Sequence, residues 1–269
     1  MSKVILVVCD ALRNDIAAQE MGFLESLVEE KKANRYTVIA GLPTLSRPLY
    51  ETIQTGTPAT EHGITSNTIV RRSEMPSLFQ VARENGKTTA AAAYHWVSEL
   101  YVRAPYDLVN DRELDDESQL IQHGRFYQDD YFPDVELFAA GGMLIQRFFP
   151  DYILIHPMGL DTTGHLHGGE SKHYRQQVCL HDQILARLVP LTIMLGYHIL
   201  VTGDHGMSVD GHHNGIGPDV RHVPLYLIPA DGQGQGDTGR TVSQLQIAPT
   251  VCRLLGISPA LTMKHPPID

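Results

Sequence analysis

Three apolar runs in this 269-residue chain each lead into an aspartate. "VILVVC" stops at Asp10, "YILIHPMGL" at Asp161 and "ILVTG" at Asp204. Continuous apolar, β-branched runs read as strands buried on both faces, as in parallel sheets. In an open α/β sheet, ligands bind beyond the carboxyl ends of the strands. Parallel pairing of these runs would therefore bring the three aspartates to one edge. A fourth run, "YTVIA", leads into a loop carrying Ser46, which would join them.

The segments between these runs have helical periodicity. Helices are expected over residues 14–32, over "RPLYETIQTG" ending at Gly56, over "MPSLFQVARENGK", over "DVELFAAGGMLIQRFF", over residues 171–195 and over "VSQLQIAPTVCRLLG". "TTAAAAY" and "HVPLYLIP" read as further strands, and "GQGQGDTG" as a flexible turn. Strands alternating with helices predict an α/β fold with a mainly parallel central sheet flanked by helices. The chain reads as a single domain over 1–269. Residues 97–134, acidic, aromatic and weakly periodic, are expected to form a small cap or lid.

The net charge of −10 argues against a basic face for a nucleic-acid polymer or an anionic membrane. A small phosphate ester remains compatible if cations reverse the local field. Three cysteines without a Cys-x-x-Cys pair argue against a disulfide framework or a thiolate zinc site. The first apolar run is too short for a secretory leader, and a cytoplasmic location is expected. Oligomeric state is not legible.

Histidines stand beside two of the aspartates. His165 follows Asp161 in "DTTGHLHG", and "DHGMSVDGHHNG" sets His205 next to Asp204 and His213 shortly after. Carboxylates and neutral imidazoles suit zinc or manganese. A lone aspartate at a strand end is more often a helix cap or turn residue; the repeated Asp-His association is what points to metal. His156, His167 and His212 lie near the motifs without a pattern and are candidates to support the ligands. His123, His173, His181 and His198 read as surface or helix residues, and Tyr94, Trp96, Tyr127 and Tyr131 as packing residues. On local chemistry the nucleophile could be Ser46, Thr44 or Thr55; any of them needs a base or a metal to activate it.

The segments "VVCDALRND", "PTLSRPLYETIQTGTPATEHGITSN", "HPMGLDTTGHLHG", "VTGDHGMSVDGHHNG" and "QIAPTVCRLLGI" together resemble the alkaline phosphatase superfamily, in particular its type I phosphodiesterase/nucleotide pyrophosphatase branch. The resemblance implies an alkaline phosphatase-like fold and two divalent ions, zinc in most members and manganese in some branches. It makes Ser46 the nucleophile. Asp10, Asp204, His205 and Ser46 would hold one ion, and Asp161, His165 and His213 the other, with His212 the rival to His213. Asn67 falls where diesterases place an amide that donates to a phosphate oxygen. Arg47 follows the nucleophile where many diesterases carry an aromatic residue, and would pair with a second anionic group of the substrate.

The implied function is hydrolysis of a small phosphate ester, favouring phosphodiester or pyrophosphate bonds, through a phospho-Ser46 intermediate. Phosphonate hydrolase, phosphomonoesterase and sulfatase are rivals within the superfamily. In sulfatases an arginine stands four residues after the nucleophile; here that position is Tyr50. A metal-binding protein without catalysis on the same fold is the rival from another class.

Overall fold

The computed structural model describes residues 2–269. A nine-stranded sheet runs through the molecule in the order β4-β5-β3-β6-β1-β7-β8-β2-β9. The strands are β1 (Lys3–Val8), β2 (Asn34–Ile39), β3 (Thr89–Tyr94), β4 (Glu113–Asp115), β5 (His123–Tyr127), β6 (Tyr152–Ile155), β7 (Tyr197–Thr202), β8 (His222–Ile228) and β9 (Gly236–Ser243). β5, β3, β6, β1 and β7 are mutually parallel, while β8 opposes both β7 and β2, and β4 opposes β5. The mainly parallel α/β sheet expected from the apolar runs is therefore the observed one.

Pleating splits each buried run between two cores. Val4, Leu6 and Val8 of β1 enter one, and Ile5, Val7 and Cys9 the other. The helices are α1 (Asn14–Glu20), α2 (Gly22–Glu29), α3 (Ser46–Thr55), α4 (Ala59–His62), α5 (Leu78–Glu84), α6 (His95–Tyr101), α7 (Asp134–Phe148), α8 (Gly159–His167), α9 (Lys172–Met194), α10 (Pro218–Arg221) and α11 (Ile247–Leu255). α3, α5, α6 and α11 cover the first face, and α1, α2, α7 and α9 the second. Gly141 lets α7 lie close on the sheet, since a Cβ there would stand 2.8 Å from Ile155 Cδ1.

Four expectations are corrected. The helix over 14–32 is two helices, broken at Met21, whose ψ of 65° is not helical. "GQGQGDTG" is not only a turn: β9 begins within it and pairs with β2. Asp161 sits in the first turn of α8 rather than on a strand. Residues 97–134 are not wholly a cap: they supply the end of α6 and the short strands β4 and β5, of three and five residues, which extend the main sheet.

Candidate metal centre and nucleophile

β6, β1 and β7 are neighbours, with β1 between the other two. The carboxyl ends of β1 and β7 deliver Asp10 and Asp204 to one place, and α8, which follows β6, brings Asp161 there from its first turn. Asp10 and Asp204 are fully buried and Asp161 is partly buried. Ala11, directly after Asp10, has φ +65°, a conformation uncommon for a residue with a Cβ. Its N–H donates to Asp204 Oδ1 at 3.0 Å, which ties the ends of β1 and β7 together.

Three histidines face these carboxylates, and all are fixed in the same way. Nδ1 of His165 lies 2.8 Å from the Gly211 carbonyl, that of His205 2.9 Å from the Gly206 carbonyl and that of His213 2.7 Å from the Thr44 carbonyl. A carbonyl only accepts, so each Nδ1 carries the proton and each Nε2 keeps its lone pair. Those lone pairs point at the carboxylates. His205 Nε2 lies 3.4 Å from Asp10 Oδ1 and 3.4 Å from Asp204 Oδ2. His165 and His213 approach Asp161 Oδ1 at 3.4 Å and 3.8 Å. His212 is exposed, whereas His213 is buried with its Nε2 toward Asp161.

Asp10 Oδ1, Asp204 Oδ2 and Asp161 Oδ1 are buried and have no hydrogen-bond partner. Orphan anionic oxygens facing imidazole lone pairs are mutually repulsive unless a cation lies between them. Burial, and then the charges of Asp204 and Asp161, push Asp10 well above the usual carboxylate range. Burial likewise raises Asp161 to about 6 and Asp204 to about 7, and lowers His205 and His213 to about 4. The donor set of carboxylate oxygens and neutral imidazoles fits divalent zinc or manganese. Ligand atoms of Asp10, Asp204 and His205 lie within 4.8 Å of one another, as do those of Asp161, His205 and His213. His205 thus stands at the junction of the two clusters, not within one alone.

Ser46 opens α3 and is 4% exposed, with Oγ 3.1 Å from His205 Nε2. Thr44 is buried beside His213 but its Oγ1 stands 3.4 Å from the Gly215 carbonyl, and Thr55, at the far end of α3, has Oγ1 bonded to Glu51 O. Pro48 lacks an N–H in the first turn, where none would find a partner within the helix. Asn67 Oδ1 accepts the Arg47 N–H at 3.0 Å. That bond pins the amide and leaves its Nδ2 hydrogens as the free donors beside the start of α3.

Arg47 departs from expectation. Its side chain is buried, donates to Glu99 Oε2 at 2.6 Å and to the Ile69 carbonyl at 3.0 Å, and stacks 4.7 Å from the Trp96 ring centre. The guanidinium meets an anion of the protein, so it is not a free partner for a second anionic group of a substrate.

Two supporting groups escaped the sequence reading. Tyr50 donates to Asp10 Oδ2. Asp134 accepts from Gly159 N–H at 3.2 Å and from Gln177 at 2.6 Å, and pairs with His181 at 2.6 Å, which anchors the start of α8 below Asp161 and His165. A Cβ on Gly159 would fall 2.1 Å from Asp134 Oδ2, so glycine is required there. His181, read as a surface or helix residue, lies in α9 and is fully buried. The signal was available: it shares the buried stripe of α9 with Tyr174, Val178, Leu185 and Val189.

Burial opposes both charges of this pair, but the close contact outweighs it. His181 is raised to about 10, and Asp134 is held below its ordinary 3.8. The stability gained through His181 is full below its ordinary 6.5 and is lost as pH rises through about 10. That gained through Asp134 is full above 3.8 and is lost as pH falls below it. Asp134→Asn is expected to destabilise the fold by about 3–5 kcal/mol near pH 6, where both contributions are present. Urea unfolding should show a smaller difference from the parent at pH 10 than at pH 6.

The sequence pattern of type I phosphodiesterases / nucleotide pyrophosphatases matches residues 4–216. The chain belongs to that family. Among curated relatives, the catalytic subunit of human GPI ethanolamine phosphate transferase 2 is 26% identical over 278 residues, covering 95% of this chain and 26% of the relative. The 2,3-bisphosphoglycerate-independent phosphoglycerate mutase of Haloquadratum walsbyi is 28% identical over 177 residues, covering 62% and 34%. The chain thus spans about a quarter to a third of the length of these relatives. Among solved structures, murine ectonucleotide pyrophosphatase / phosphodiesterase 5 superposes with a TM-score of 0.69 at 14% identity, covering 96% of both chains. The phosphonate monoester hydrolase of Silicibacter pomeroyi gives 0.69 at 14% identity, covering 100% of this chain and 76% of that one. The fold is the alkaline phosphatase-like one that the sequence motifs implied.

Proposed function

We propose that this chain hydrolyses phosphate esters, favouring phosphodiester or pyrophosphate bonds, by passing the phosphoryl group through Ser46. The observation that carries this reading is the buried serine hydroxyl at a helix N-terminus, 3.1 Å from an imidazole that also faces two orphan carboxylate oxygens. Two divalent ions held by Asp10, Asp161, His165, Asp204, His205 and His213 would supply positive charge for the serine alkoxide and the leaving oxygen.

Ser46 Oγ gives its proton to solvent and attacks phosphorus in line. A bond forms between Oγ and phosphorus as the bond to the leaving ester oxygen breaks. The N-terminus of α3 favours the phosphoryl charge beside Ser46. Asn67, with its Oδ1 held by the Arg47 N–H, turns its Nδ2 donors to a phosphoryl oxygen, an interaction that strengthens as charge develops. Water then displaces Oγ from phosphorus and frees Ser46. Asn67→Ala is expected to lower kcat/KM for a chromogenic diester by about 10²-fold or more; a change under threefold would remove Asn67 from this role.

A second reading concerns the substituent and the acceptor. With Arg47 taken by Glu99, the reason for expecting a second anionic group is weakened. The exposed Asp130 instead binds Tyr94 Oη through its carboxylate at 2.7 Å and Thr162, next to Asp161, through its carbonyl at 2.8 Å. A carboxylate at this rim favours an ammonium group, and a relative is named as an ethanolamine phosphate transferase. An amino-alcohol phosphate ester, with a hydroxyl rather than water as acceptor, fits these observations. The test compares p-nitrophenyl phosphorylcholine with thymidine 5′-p-nitrophenyl phosphate. Preference for the first supports the amino-alcohol reading, and preference for the second supports the nucleotide one.

A further inference from the structure

We propose that Tyr50 is the positioning residue of Asp10, coupling the helix that carries Ser46 to the ligand at the end of β1. The proposal rests on Asp10 binding an ion, as argued above. Tyr50 lies one helical turn after Ser46 on α3 and is 3% exposed. Its hydroxyl donates to Asp10 Oδ2. His156 Nε2 stands 3.3 Å from the same oxygen, and the His156 ring packs edge-on against Tyr50 with centroids 4.4 Å apart. The other oxygen, Oδ1, is buried without a partner and faces His205.

The two oxygens of Asp10 therefore have separate tasks. Rotating the carboxylate would exchange them, and the Tyr50 bond opposes that rotation. Groups that orient a ligand in this way typically change metal affinity by 10–100-fold. The chemistry of the donor matters as well. A cationic side chain at position 50 would pair with Asp10 and compete with an ion, whereas a neutral phenol holds the carboxylate without spending its charge. Because Tyr50 and Ser46 share a helix, the distance between nucleophile and ligand is fixed by helical geometry instead of by a loop.

Tyr50→Phe removes the hydroxyl and keeps the ring packed against Trp96 and His156. Zinc binding by the full chain is titrated in competition with a chromogenic chelator. The expected result is a 10–100-fold loss of affinity at one of two sites with the other unchanged, and an unaltered circular dichroism spectrum of the zinc-free protein. His156→Leu, which leaves the Tyr50 bond in place, should weaken the same site less, and gives the test if Tyr50→Phe does not fold. Parental affinity at both sites in the folded variants would overturn the proposal while leaving the phosphoryl-transfer reading intact. Absence of saturable zinc binding in the parent would overturn both.

Discussion

Ser46→Ala is expected to lower kcat/KM toward a phosphodiester by at least about 10³-fold while the protein still binds two equivalents of zinc. Removing a covalent nucleophile costs several orders of magnitude, because the remaining groups bind and polarise the ester without attacking it. The side chain is small and its hydroxyl is hydrogen-bonded to His205, so the fold should be little affected. Rapid quench with a radiolabelled diester should trap label on Ser46 in the parent and none in the variant. Unchanged zinc-dependent turnover would remove Ser46 from the mechanism. Failure of the parent to act on any ester in a panel of mono- and diesters, phosphonates and sulfates would favour the non-catalytic metal-binding alternative.

A comparable loss is expected from His205→Ala. Its Nε2 faces Asp10, Asp204 and Ser46, and its ring stacks on His213 with centroids 4.0 Å apart. Without this imidazole the buried carboxylates lose the donor placed between the two clusters. Bound zinc should fall from two equivalents to one or fewer, with turnover reduced on the order of 10³-fold. His212→Ala, one residue from the proposed ligand His213, should stay within about twofold of the parent, since an exposed side chain away from the chemistry contributes little. Metal analysis after gel filtration separates the two outcomes. Full zinc retention by His205→Ala would contradict the ligand assignment.

The convergence of Asp10, Asp161 and Asp204 was legible because an apolar run followed by an acid carries both strand direction and ligand in a few residues. That β6, β1 and β7 are neighbours was not legible, since strand order depends on how the intervening helices cross the sheet. The histidines could be named but not oriented. Their tautomers are set by the carbonyls of Thr44, Gly206 and Gly211, and backbone oxygens carry no sequence signal. Arg47 was misjudged because its partner, Glu99, is 52 residues away. β4 and β5 were missed within 97–134 because they are short, three and five residues, and what marks them as sheet is their pairing with each other and of β5 with β3.

Two adjacent ion sites beside Ser46, built by the ends of β1 and β7, by α8 and by one histidine-bearing loop, are the core of the proposed mechanism. Its most direct test is a crystal structure grown with zinc, with anomalous data collected on both sides of the zinc edge. Two peaks are expected, one among Asp10, Asp204 and His205, reached by Ser46, and one among Asp161, His165 and His213. A single peak, or peaks ligated by residues other than these, would contradict the account.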